Sequence, residues 1–119
     1  MPCNSRKKGS NGELEFARLL NDRFGPTAGA RRSQQYMGTA QSADITSNLP
    51  FHFEVKRCER LQFRDWWSQL QSEATDKIGV LAFRWNNGPW IIAMGVDDWC
   101  NVVRESDFFC TKCATKTET

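Results

Sequence analysis

Asp44 is followed, after nine intervening residues, by Glu54, Val55 and Lys56. Two carboxylates and an ammonium in that order can hold a divalent cation against a phosphodiester. Hard oxygen ligands suit Mg²⁺, which keeps several waters and binds through one or two carboxylates plus substrate phosphates; Mn²⁺ is expected to substitute. The cation would polarise the phosphoryl group and activate water, while Lys56 would orient the nucleophile or offset charge building on the phosphate. The expected chemistry is hydrolysis of a nucleic-acid strand. The plainer alternative is that Asp44 caps a turn and Glu54 and Lys56 form an ordinary charged sheet face, since short motifs match by chance often.

Positioning these groups requires a strand and its neighbour. In Phe51-His52-Phe53-Glu54-Val55-Lys56-Arg57 apolar and polar residues alternate at period two, as in a half-buried strand. Phe51, Phe53 and Val55 then face the core, and Glu54 and Lys56 stand on the opposite face, roughly 7 Å apart along the strand. Upstream, Ala43-Asp44-Ile45-Thr46 reads as a short strand and Ser47-Asn48-Leu49-Pro50 as a turn. The two strands are expected to pair as a hairpin that brings Asp44 near Glu54.

A helix of about three turns is expected from Ser10, with Phe16, Ala17, Leu20 and Phe24 as its apolar stripe. Glu13 falls on the core-facing edge of the first turn. Ser10-x-x-Glu13 has the form of a capping box, and the same Glu13 is a candidate third acidic ligand. Glu15 lies on a stripe that runs mostly toward solvent.

The segment from Arg6 to Glu13, then Arg32-Ser33, Asp44 and Glu54-Val55-Lys56, resembles the archaeal-type Holliday-junction resolvases, phage versions included, within the PD-(D/E)xK nuclease superfamily. The resemblance spans roughly residues 6–95. It implies Glu13, Asp44, Glu54 and Lys56 as the catalytic set, with Glu13, Asp44 and Glu54 holding Mg²⁺. It also implies a homodimer that cuts opposed strands of a four-way junction symmetrically, enzyme symmetry mirroring substrate symmetry. Ala43 stands where the superfamily name has proline, a frequent variation. The polar stretch between Arg32 and Asp44 is expected to be a mobile loop contacting DNA or a partner subunit.

The charge distribution agrees with a polyanionic partner. Residues 1–64 carry 11 Lys and Arg against 6 Asp and Glu, whereas residues 65–119 carry 5 against 8. Arg6, Lys7, Lys8, Arg31, Arg32, Arg57 and Arg60, with Arg64 beside them, are the candidate phosphate-binding surface, because neutralising backbone phosphates drives DNA affinity. A solvated basic face with no partner would show the same composition.

One domain is expected from 119 residues, spanning 1–110 and followed by a disordered tail over 111–119. No apolar leader or membrane-length segment is present, so a cytoplasmic location is expected, in the host cell if the chain is phage-encoded. Cys3, Cys58, Cys100, Cys110 and Cys113 are odd in number and are expected to be reduced thiols. Cys110-x-x-Cys113 would need two more ligands to hold zinc, and His52 is the single histidine.

The second half completes an α/β core. Phe63, Trp67, Leu70 and Ala74 form one helical stripe, and Gln69 or Gln71 is a candidate to reach the scissile phosphate. Residues 78–83 read as a buried central strand with residues 90–94 as its hairpin partner across Asn86-Asn87-Gly88-Pro89. Asp97 or Asp98 is expected to cap a short final helix. The five tryptophans are assigned to core or dimer packing before base stacking. The expected fold is a restriction-endonuclease-like α/β core, a mixed sheet flanked by helices in the order α-β-β-β-α-β-β. The expected activity is a metal-dependent, structure-selective DNA endonuclease. Its rivals are a nuclease on duplex, nicked or flap DNA, and a branched nucleic-acid binding module that does not cut.

Overall fold

The order in which apolar runs alternate with polar turns is reproduced in the computed structural model, which describes residues 5–33, 43–74 and 76–106, with side chains from Asn11 onward. The elements are α1 (Ser5–Phe24), a 3₁₀ turn (Pro26–Ala28), β1 (Arg31–Arg32), β2 (Ile45–Thr46), β3 (Phe51–Arg57), α2 (Phe63–Glu73), β4 (Ile78–Arg84), β5 (Ile91–Ala93) and α3 (Val96–Arg104). Residues 34–42 of the expected polar loop, the tail over 111–119, and Cys3, Cys110 and Cys113 lie outside the described residues.

The five strands form one mixed sheet in the order β1-β2-β3-β4-β5. β1, β2 and β3 pair antiparallel, β3 and β4 pair parallel from Phe51↔Ile78 to Arg57↔Arg84, and β4 and β5 pair antiparallel. A parallel pair needs a crossover, and α2 supplies it. β3 is therefore the middle strand, and helices cover both of its faces.

That placement corrects the half-buried reading of β3. Phe53 and Val55 pack with Phe16, Ala17 and Leu20 of α1 and with Val80 and Ala82 of β4, yet His52 and Glu54 on the other face are also buried. There α2 seals the sheet through Trp66 and Leu70 against Leu81 and Phe83. The alternation was present, but a polar residue on a centre strand is covered by whatever helix crosses it.

Three further expectations change. α1 begins at Ser5, so Ser10 lies inside the helix and not at its N-cap; the polar residues before it sustain the helix instead of stopping it. On α2 it is Trp66, 8% exposed, rather than Phe63, 38% exposed, that seats in the core. Phe63 opens the helix and stacks on Trp67 with centroids 6.1 Å apart. α3 starts from Gly95 with no side-chain cap, and Asp97 and Asp98 sit within its first turn, where they favour the positive end of the helix dipole. Phe24, at the end of the α1 stripe, is exposed.

Two close approaches set α1 against the sheet. A Cβ on Gly12 would lie 2.8 Å from Arg57 Cβ, so only glycine lets this turn of α1 reach β3. After the helix, the Asn21 side chain accepts the Ala30 N–H at 2.9 Å and donates to the Ala30 carbonyl at 2.8 Å, turning the chain back toward β1.

Candidate active site

The β2–β3 pairing places Ile45 opposite Phe53, one step from Asp44 and Glu54. Asp44 bridges two strands through its backbone, donating to the Phe53 carbonyl and accepting from Ser33 N–H, each at 2.9 Å. Its carboxylate is also held: Oδ2 accepts the Val55 N–H at 2.9 Å. The carboxylate thus lies beside the stretch of β3 that carries Glu54 and Lys56.

Glu54 is 5% exposed and faces α2, level with Leu81 of β4. Lys56 Nζ lies 3.5 Å from Glu54 Oε2, with the lysine side chain still partly open to solvent. The Glu54 carboxyl is raised to about 7, chiefly by burial and then by the Asp44 charge, with the Lys56 ammonium opposing the rise and Glu73 adding to it. A carboxyl surrounded by like charges in a poorly solvated place resists ionisation until a cation arrives.

Glu13 approaches from α1. Its Oε1 accepts the Arg32 Nε–H at 2.6 Å. Burial raises its pKa, the Arg32 hydrogen bond opposes that, and the Asp44 charge raises it again. The electrostatic reach of Asp44 to both glutamates places Glu13, Asp44, Glu54 and Lys56 in one neighbourhood. Among the described residues, however, the donor atoms that lie within 4.8 Å of one another are those of His52, Glu54 and Glu73. Glu13 is turned to Arg32 and is not drawn into so tight a group.

His52 and Glu73 were not singled out from the sequence as site residues. His52 was legible in principle: two residues before Glu54 on a strand, it must share the Glu54 face. Glu73 ends α2 and meets that face only through the helix crossing, a relation no local pattern encodes. Gln69, one of the two glutamines considered for the scissile phosphate, donates to Glu73 Oε2 at 3.2 Å; Gln71 is exposed.

The basic residues divide. Arg31 and Arg60 are exposed, and Arg32 is 47% exposed while bonded to Glu13. Arg57 is largely covered, with Nη1 3.7 Å from Glu59 Oε2, so it is not an open phosphate contact in this conformation. The Arg6, Lys7 and Lys8 side chains lie outside those described, although their backbone is helical. Glu15 is committed to an ion pair with Arg84 at 3.2 Å.

The donor chemistry fits a divalent cation. Carboxylates with few compensating charges, two of them held above their ordinary pKa by burial, are stabilised as anions by a bound ion.

Comparison with known proteins agrees with a nuclease. A family model described as "Phage putative PDDEXK endonuclease" matches residues 4–119. Among solved structures, Archaeoglobus fulgidus Hjc, a Holliday junction resolvase from an archaeal hyperthermophile, matches with 20% identity and a TM-score of 0.47, covering 67% of this chain and 73% of that one. A search of the curated proteins finds no match. No helix among the described residues is long and apolar enough to cross a membrane.

Proposed function

Since the chain belongs to the phage PDDEXK endonuclease family, we propose that it is a Mg²⁺-dependent DNA endonuclease that acts on branched DNA and resolves four-way junctions by paired symmetric nicks. The observation that carries the catalytic reading is the convergence of Asp44, Glu54 and Lys56, in which the Asp44 carboxylate is tied to the Val55 amide between the other two. The junction preference is carried by the motif resemblance from Arg6 to Lys56.

Asp44 and Glu54 hold the ion in this reading, with Glu13 joining them once it leaves Arg32. The ion supplies Lewis acidity at the scissile phosphate. Lys56, already 3.5 Å from Glu54, places its ammonium where negative charge builds in the transition state, a contribution that grows in a partly buried site. The exposed Arg31, Arg32 and Arg60, with Arg6, Lys7 and Lys8 of α1, take the phosphate backbone. Mn²⁺ is a substitute for Mg²⁺, and the working form is a homodimer with one site for each of two opposed strands. Residues 1–110 constitute the nuclease domain.

The test is cleavage of end-labelled four-way junctions and matched linear duplex with Mg²⁺, by wild type and Lys56→Ala in parallel. Paired symmetric nicks confined to the junction and lowered on the order of 10²-fold or more by Lys56→Ala are expected. Equal cutting of linear duplex would retain the nuclease and remove the resolvase. Tight junction binding without metal-dependent cutting would replace both with a binding module.

A further inference from the structure

The α2 side of β3 holds two side chains, His52 and Glu73, that the proposed catalysis does not use. His52 and Glu54 are two residues apart on β3 and share a face, and Glu73 descends on them from the end of α2. One ring nitrogen of His52 and one carboxylate oxygen each of Glu54 and Glu73 lie within 4.8 Å of one another.

Acidic clusters are common without ions, so the histidine decides the matter. His52 is 8% exposed, and its Nε2 is buried with no hydrogen-bond partner among the described residues. A buried polar atom without a partner is destabilising, and the position would be better filled by an apolar residue if packing were its only role. Glu73 is also oriented: Gln69, one turn earlier on α2, donates to its Oε2 at 3.2 Å. Outer hydrogen bonds of this kind fix carboxylates that bind metals.

We propose that His52, Glu54 and Glu73 form a second divalent-cation site, selective for a transition ion of the Mn²⁺ or Zn²⁺ kind over Mg²⁺. The selectivity follows from the donors. Imidazole suits transition ions, whereas Mg²⁺ demands near-ideal oxygen octahedra and dehydrates reluctantly. Glu54 is common to this site and to the one built on Asp44, so the inference rests on the nuclease reading for the role of Glu54 but not for His52 or Glu73. Gly79, opposite His52 in the parallel register, has Leu70 Cγ and Ala74 Cβ 3.1 Å from where a Cβ would stand. Its missing side chain is what lets the end of α2 close over this site.

The probe is Mn²⁺ added to the DNA-free protein, read by pulsed electron paramagnetic resonance and by titration of bound ion. The chain has one histidine, so an imidazole-type ¹⁴N coupling has a single source. Wild type is expected to show that coupling. His52→Asn should abolish it, and Glu73→Gln should weaken binding of the same ion at least tenfold, with circular dichroism unchanged in both. Asp44→Asn should remove only ions without nitrogen coupling. If wild-type Mn²⁺ shows no ¹⁴N coupling, or if Glu73→Gln leaves the coupled ion's affinity intact, the proposal is overturned. A nitrogen-coupled ion together with an Asp44→Asn variant that binds Mn²⁺ as wild type does would keep this site and remove the Asp44 metal site.

Discussion

The Asp44 carboxylate is bonded to the backbone amide of Val55, so the acidic group of one strand is locked to the residue between Glu54 and Lys56 on the next. The same bond orients the carboxylate and completes the pairing where β2 begins. Asparagine retains an oxygen that can accept the Val55 N–H, whereas alanine leaves that amide unmatched. Asp44→Asn is therefore expected to keep the thermal midpoint near wild type while losing metal-dependent cleavage. Asp44→Ala is expected to lose cleavage and also about 1–3 kcal/mol of stability, measured by denaturant unfolding.

Glu54 makes metal-free stability depend on pH. Its folded pKa of about 7 stands above the ordinary 4.5, so the folded chain retains a proton that the unfolded chain has released. Its contribution is fully present below pH 4.5 and is lost as pH rises through 7. His52 works in the opposite sense: its pKa is depressed, chiefly by burial, below 6.5, so its contribution is lost as pH falls. Comparing Glu54→Gln with wild type in EDTA separates the two. The variant should gain stability relative to wild type between pH 5 and pH 8, and a constant difference in melting temperature across that range would contradict the assignment.

The Glu13–Arg32 pair reports whether Glu13 takes part in catalysis. Arg32 is the main influence holding the Glu13 pKa down against burial, so Arg32→Gln should raise it. If ionised Glu13 is needed for turnover, the acidic limb of kcat/KM against pH moves to higher pH in Arg32→Gln. A limb that stays in place would assign Glu13 to tying α1 to β1 rather than to the reaction.

Gly12 tests the close approach of α1. Alanine at this position raises helix propensity by about 1 kcal/mol, which alone would stabilise the chain. Its Cβ would sit 2.8 Å from Arg57 Cβ, an atom attached directly to the β3 backbone that cannot swing away. Overpacking of this kind costs about 1–3 kcal/mol, so Gly12→Ala should have a lower melting temperature than wild type. An increase would show that α1 shifts freely on the sheet.

The order of elements was legible in the chain because each rests on a local period. Two-residue alternation marks β3, a run of branched and aromatic residues marks β4, and the Asn86–Pro89 turn marks the hairpin to β5. The proximity of Asp44, Glu54 and Lys56 was legible for the same reason, since a strand places Glu54 and Lys56 on one face and a hairpin brings Asp44 alongside. What local pattern could not decide was which face would be covered and by what. β3 became central because β4 joined it in parallel through α2, a long-range choice made by burying Trp66 and Leu70 against Leu81 and Phe83. That crossing buried Glu54, raised its pKa and delivered Glu73 to His52. Glu13 likewise exchanged an expected cap amide for Arg32 only once α1 packed beside β1. Periodicity determined the strands, the helices and the chemistry available to them; tertiary packing decided the solvation and the neighbours of each charge, because burial and Coulomb energy depend on distances that sequence separation does not set.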